Sequence, residues 1–168
     1  MIIREATLAD VPAIAQVQFD SSLAAYREII PAEIIQGRSL EQRVEQWRSI
    51  VTTASEGGGW VHVALDGEEV IGFVSGNASR DADGAGVGEV SAIYVAPKRW
   101  RAGSGSALLD VATGALRAAG FAEATLWVLK ANARARSFYE REGWAPDGAG
   151  QTLGQTEILE VRYRRRLT

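Results

Sequence analysis

The stretch Val95-Ala96-Pro97-Lys98-Arg99-Trp100-Arg101-Ala102-Gly103-Ser104-Gly105-Ser106-Ala107-Leu108-Leu109 decides the reading of this chain. A β-rich run ends at Val95, Pro97 redirects the backbone, and Gly103 and Gly105 permit a tight turn into a helix. Successive N–H groups at such a turn can converge on one anion, and the helix dipole adds positive potential there. Lys98, Arg99 and Arg101 add charge. A glycine-rich helix start with no ligand fits the same residues. Two other phosphate loops are excluded: no G-x-x-x-x-G-K-[ST] is present, and Leu108 occupies the third glycine position of G-x-G-x-x-G.

On the C-terminal side, Gly103 to Ala119 reads as a helix with Leu108, Leu109, Ala112 and Leu116 inward, ended by Gly120. Thr125 to Leu129 is a buried strand. Asn132 to Arg141 is a short helix stopped by Gly143, and the tail ends in a strand with Leu159, Val161 and Tyr163 alternating. Arg162, Arg164, Arg165 and Arg166 cluster there, with Arg162 and Arg164 expected on a solvated strand edge. On the N-terminal side, Glu89 to Val95 is a strand, and residues 79–88, rich in Gly and Asp, form a surface loop. Two β-rich runs, 60–65 and 70–74, flank Asp66-Gly67 as a hairpin. Residues 2–6 form a short strand. Asp10 caps a helix carrying Val11, Ile14, Val17 and Leu23, and a helical region opened by Pro31 breaks at Gly37. It resumes at Ser39 with Leu40, Val44, Trp47 and Val51 on one stripe. An antiparallel front half joined to a βαβα back half implies a mixed α/β (α+β) architecture, one twisted sheet with helices on both faces.

Composition narrows the chemistry. The 168 residues, 46% hydrophobic and 23% charged, suit one domain spanning 1–168 with one substantial core. A net charge of −3 gives no field for nucleic acid or an anionic membrane. The absence of cysteine removes disulfides, thiolate catalysis and zinc-thiolate sites. His62, the only histidine, alternates with Val61 and Val63 on a strand and reads as structural, so no metal is expected. The charged pair Arg4-Glu5 lies where a signal peptide needs its apolar core, and a cytoplasmic address is expected.

The opening stretch resembles the V-x-P-x-x-[QR]-x-x-G-x-[GA] signature of the GNAT superfamily of acyltransferases, with Trp100 standing where Gln or Arg is usual. Residues 132–144 resemble that family's second motif, N-x-x-A-x-x-F-Y-x-x-x-G-[FW], about thirty residues on. The resemblance implies a mostly antiparallel sheet of about seven strands flanked by about four helices, splayed between the fourth and fifth strands. It further implies an acetyl-CoA-dependent N-acetyltransferase, with direct transfer to a primary amine of a small molecule or amino acid. Pantetheine would bond to the backbone of Ile93 and Val95 and to Asn132. Arg101, Ala102, Gly103, Gly105 and Ser106 would carry the pyrophosphate, with Arg136 and Arg141 near the nucleotide. An amide near Ile93 to Val95 is the expected donor to the thioester oxygen.

Glu89 is the candidate general base, directly or through a water, from its offset to the loop in histone-type members of the family. Tyr139 is the candidate acid for the departing thiolate. The stretch Ala24-Ala25-Tyr26-Arg27-Glu28-Ile29-Ile30-Pro31 resembles the A-A-Y-R-G-x-x-P region of small bacterial members. Trp often stands there at the position of Ser22, and Gly at that of Glu28. Ser22, Tyr26, Arg27 and Asp20 are the acceptor candidates, and Arg27 would suit a carboxylate. Two alternatives stand beside this reading: a protein or peptide N-acetyltransferase, and an acyl-CoA-binding regulatory domain that does not catalyse. Family members often form homodimers.

Overall fold

The computed structural model describes residues 1–167; Thr168, the last residue of the expected domain, lies outside the described residues. Seven strands form one sheet: β1 (Ile2–Glu5), β2 (Trp60–Asp66), β3 (Glu69–Ala78), β4 (Gly88–Val95), β5 (Glu123–Leu129), β6 (Ala145–Thr152) and β7 (Leu159–Arg166). Their order is β1-β2-β3-β4-β5-β7-β6. Every neighbouring pair is antiparallel except β4 and β5. The helices are α1 (Val11–Tyr26), α2 (Ala32–Gln36), α3 (Leu40–Ser55), α4 (Ser104–Ala118) and α5 (Ala133–Arg141). That is five, one more than the resemblance implied, the short α2 making the difference.

Local chemistry explains most boundaries. The Ser39 hydroxyl accepts the Gln42 amide while the Gln42 side chain accepts the Ser39 amide, a capping box that starts α3. Gly120 and Gly143, with φ of 91° and 80°, end α4 and α5 in the left-handed region. Asp10 departs from expectation. It lies at the end of a 3-10 turn (Leu8–Asp10) and has helical dihedrals. Its carboxylate turns back to the Thr7 amide and to Arg4 instead of capping α1.

Alternation along β2 and β3 sorts the core into two layers. Val61, Val63 and Phe73 face α1 and α3, where Trp47 meets Phe73 edge-on at 4.7 Å. Ala64 and Val74 face the other way, and a bulge that leaves Ile71 unpaired between Val70 and Gly72 turns Ile71 to the same side, onto Leu108, Leu109, Ala112 and Leu116 of α4. The sheet opens at its middle. β4 and β5 pair only at Gly88 with Ala124 and Glu89 with Thr125, and diverge beyond. A bulge assists. Ser75 opposes Ala92 while Gly76 opposes Val90, so Ser91 is an extra residue that bends β4. Among the described residues no helix is long and apolar enough to cross a membrane.

Candidate active site

The glycine turn presents a row of amides free of helical bonds. Pro97–Arg99 form a 3-10 turn, Arg101 and Gly103 adopt φ of 64° and 84°, and α4 begins at Ser104. The first helical bond runs from Ala107 N–H to Gly103 C=O, so the amides of Ser104, Gly105 and Ser106 precede it and point out of the helix end. Alternating left-handed residues before a helix start make a nest of N–H groups. Arg101 is the only non-glycine described residue with positive φ, a conformation costing on the order of 1 kcal/mol. A side chain at Gly105 would come within 3.3 Å of the Phe138 ring, so that glycine also lets α5 approach. The Ser106 hydroxyl donates to Glu142 at 2.6 Å, which leaves its amide for a ligand. Ala102 is exposed at the rim.

Lys98 and Arg99 do not serve this turn. They pair with Glu69 and with Asp66 and Glu69 at the β2–β3 turn, so Arg101 alone keeps its charge there. Arg136 is likewise occupied, donating to the Tyr163 hydroxyl and the Lys130 carbonyl. Arg134 takes the place near the loop, its guanidinium 3.5 Å from the centre of the Trp100 ring.

Beyond the turn, a cavity of about 540 Å³ fills the splay between β4 and β5. Ala96 N–H bonds to Ile71 C=O in the ladder with β3. By antiparallel alternation, the main-chain groups of Ile93 and Val95 therefore face the opening. The Val95 carbonyl is already taken, accepting from Ser21 Oγ at 2.9 Å and Trp100 Nε1 at 2.7 Å. Its N–H is the group left for a ligand. Trp100 thus holds the Val95 carbonyl through its indole. Asn132 is buried on the cavity wall, where its Oδ1 caps α5 by accepting the Ala135 amide.

Glu89 and Tyr139 line the same cavity. Glu89 is 5% exposed, and Arg80 holds both its oxygens, by Nη2 at 3.0 Å and by the backbone amide at 3.2 Å. The Glu89 carboxylate raises the Arg80 pKa in turn. Arg80 belongs to the loop 79–87, which Arg162 anchors. That guanidinium is buried and reaches Asp81 (2.9 Å), Asp83 (2.6 Å) and Asp147 (2.8 Å), with Trp127 beneath it. The expected solvated edge is corrected here: the loop covers β7, and Arg162 is its fastening. Burial, with Tyr94 nearby, pushes the Tyr139 hydroxyl well above the ordinary phenol range, so it stays protonated at neutral pH.

At the other end, Ser22 is buried and Tyr26 half-buried on the cavity wall. Burial, then Tyr94, raises the Tyr26 pKa far above the phenol range. Arg27 is not brought to this cavity. It is exposed just past the end of α1 and, with Asp20, borders a separate outer hollow. At this end the cationic residues on the wall are Arg38 and Arg43, neither of them evident from the motif stretches. A signal existed: Arg43 falls at helical spacing between Leu40 and Trp47, inside the stripe that α3 buries. Ile30, Ile35 and Leu129 form a small core with Leu153 and Ile158 against it, closing the α2 region onto the β6–β7 connection.

A family model described as the acetyltransferase (GNAT) family matches residues 23–144. The chain is 34% identical over 131 residues to an uncharacterized N-acetyltransferase of Bacillus subtilis, YuaI, covering 77% of this chain and 72% of that one. Its fold is similar to the PaiA N-acetyltransferase of Thermoplasma acidophilum solved with coenzyme A: TM-score 0.83, 20% identity, 98% of both chains covered. It is similar also to YncA, a putative acetyltransferase of Salmonella typhimurium solved with acetyl-CoA: TM-score 0.76, 19% identity, 100% of this chain and 94% of that one.

Proposed function

The chain belongs to the GNAT family of N-acetyltransferases, and on that premise we propose that it acetylates a primary amine of a small molecule, with acetyl-CoA as donor. One observation carries this reading. Glu89 and Tyr139 line a single cavity that runs from the splay beside the glycine turn to a cap formed by the α2 region and the β6–β7 connection. That closure favours a small amine over a peptide.

Acetyl-CoA supplies the activated acetyl carbon, whose bond to sulfur is replaced by one to nitrogen. The amides of Ser104, Gly105 and Ser106 with the Arg101–Gly103 turn suit its pyrophosphate. The inward main chain of Ile93, the N–H of Val95 and the Asn132 carboxamide suit its pantetheine. Glu89 takes a proton from the acceptor amine, directly or through a water, while Arg80 fixes the carboxylate. Tyr139 gives its proton to the leaving thiolate, for which a phenol held protonated by burial is suited.

A panel of primary amines incubated with acetyl-CoA, read by released thiol and by product mass, tests this. Turnover of small amines is expected. Tight coenzyme A binding with no product from any amine would favour a binding domain instead, and turnover of peptides alone would favour a protein substrate.

A further inference from the structure

Arg43 is 8% exposed and lines the cavity, yet among the described residues it forms no ion pair. Its Nη2 donates to the Ile35 carbonyl at 2.6 Å, and its Nη1 reaches Gln18 Oε1 at 3.4 Å, an acceptor already shared with Trp47 Nε1. Its Nε is buried without a partner. A guanidinium deprived of both water and an anion is costly to keep. Burial, then the like charge of Arg38, lowers its pKa. Arg38 sits on the same wall, touches Gln46 and has no carboxylate partner among the described residues.

Of the other charges on the wall, Arg80 and Glu89 satisfy each other and Arg134 lies over Trp100, while Glu160 accepts from the neutral Gln151 amide and keeps its charge. At the end of the cavity under α2 and α3, Arg38 and Arg43 outnumber the single carboxylate of Glu160, so that end is net positive, while Glu89 lies on β4 with Arg80.

We propose that Arg43, assisted by Arg38, binds a carboxylate carried by the acceptor, so that the substrate class is an amine bearing a carboxylate, as in an amino acid. This rests on the small-amine reading above and adds the polarity of the acceptor. The planar fork of a guanidinium matches a carboxylate and would supply the missing anion. The contact is desolvated, so the discrimination is large. Amines that lack the carboxylate would leave Arg43 buried and unpaired.

The test pairs each carboxylated amine with its counterpart lacking the carboxylate: phenylalanine with phenethylamine, leucine with isoamylamine, γ-aminobutyrate with propylamine. For at least one pair, kcat/KM is expected to favour the carboxylated member by about 30-fold or more. Arg43→Gln, which retains a donor for Ile35, should reduce that ratio about 30-fold, and exposed Arg38→Ala several-fold, with coenzyme A affinity as the folding control. Equal or better use of the members lacking the carboxylate in every pair would overturn the proposal, as would an Arg43→Gln variant with an unaltered ratio. If no amine is turned over, the catalytic reading fails by itself. Calorimetric titration of the coenzyme A-loaded protein with the same pairs then decides on Arg43: tighter binding of a carboxylated member, lost in Arg43→Gln, supports it, and no difference refutes it.

Discussion

Replacing Arg162 by methionine keeps an unbranched apolar stem over Trp127 and removes only the guanidinium. Asp81 and Asp147, whose side chains are 19% and 14% exposed, then lose their main counter-charge. Removing one partner of a buried ion pair costs roughly 3–5 kcal/mol, because the other charge is left desolvated. Both carboxylates keep something here: Asp147 retains Arg164 at 3.2 Å and the Ala149 amide, and Asp81 retains Trp127 Nε1. The low end applies, about 3 kcal/mol, or a fall in Tm of about 9 °C for a chain of this length. Urea unfolding followed by tryptophan fluorescence measures it. The loop 79–87 loses its fastening with Arg162, and Arg80 with it. At a temperature where the variant is fully folded, kcat should fall about tenfold while the KM for acetyl-CoA changes little.

The pH dependence carries a sign. Arg162 holds the Asp83 carboxyl down at about 2, and despite its burial the partners of Asp147 hold that group below its usual range too. Groups with depressed folded pKa contribute stability above the ordinary carboxylate range and lose it as pH falls. The gap between wild type and Arg162→Met should therefore be full at pH 6 and shrink between about pH 4 and 2. A gap below about 1 kcal/mol at pH 6 would refute the burial argument. Lost stability with undiminished kcat would refute the link from Arg162 through the loop to Glu89.

Three further substitutions address the site. Tyr139→Phe should lower kcat at least tenfold with little change in coenzyme A affinity, since the ring still packs against Phe138 and Tyr163; unchanged turnover removes the acid role. Glu89→Gln keeps an acceptor for Arg80 but no base, so kcat should fall at least tenfold with little change in coenzyme A affinity; unchanged turnover assigns the base elsewhere. Trp100→Phe removes the donor to the Val95 carbonyl and preserves a ring for Arg134; about a threefold to tenfold change in the KM for acetyl-CoA is expected, and none at all would make the indole bond incidental.

What the sequence disclosed follows the range of the interactions involved. Gly103, Gly120, Gly143 and the Ser39–Gln42 box act within one turn of chain, and their roles are legible from a few neighbouring letters. The strand number, the antiparallel character and the splay came through the family resemblance, since alternation says which residues share a face but not which strands are neighbours. Parity correctly put Arg162 and Arg164 on one face. It could not show that a loop about 80 positions earlier covers that face with three aspartates at hand, two of its own and Asp147.

The acceptor end shows the same limit in sharper form, with Ser22 and Tyr26 on the cavity wall and Arg27 outside it. Arg27 stands beside Tyr26 in a stretch resembling other small acyltransferases, and that adjacency is all that recommends it. Adjacent positions on a helix point about 100° apart, however, so a neighbour of a wall residue is a poor choice for the wall itself. Arg43 is remote from that stretch but lies in the apolar stripe of α3 between Leu40 and Trp47, where a charge is tolerated only with a partner. Gln18 and the Ile35 carbonyl satisfy two of its nitrogens, neither of them carries charge, and Nε remains free. A charged residue in a buried stripe whose fold supplies dipoles but no counter-ion is better evidence about a ligand than a motif neighbour. The folding free energy spent on it is recovered only when an anion arrives.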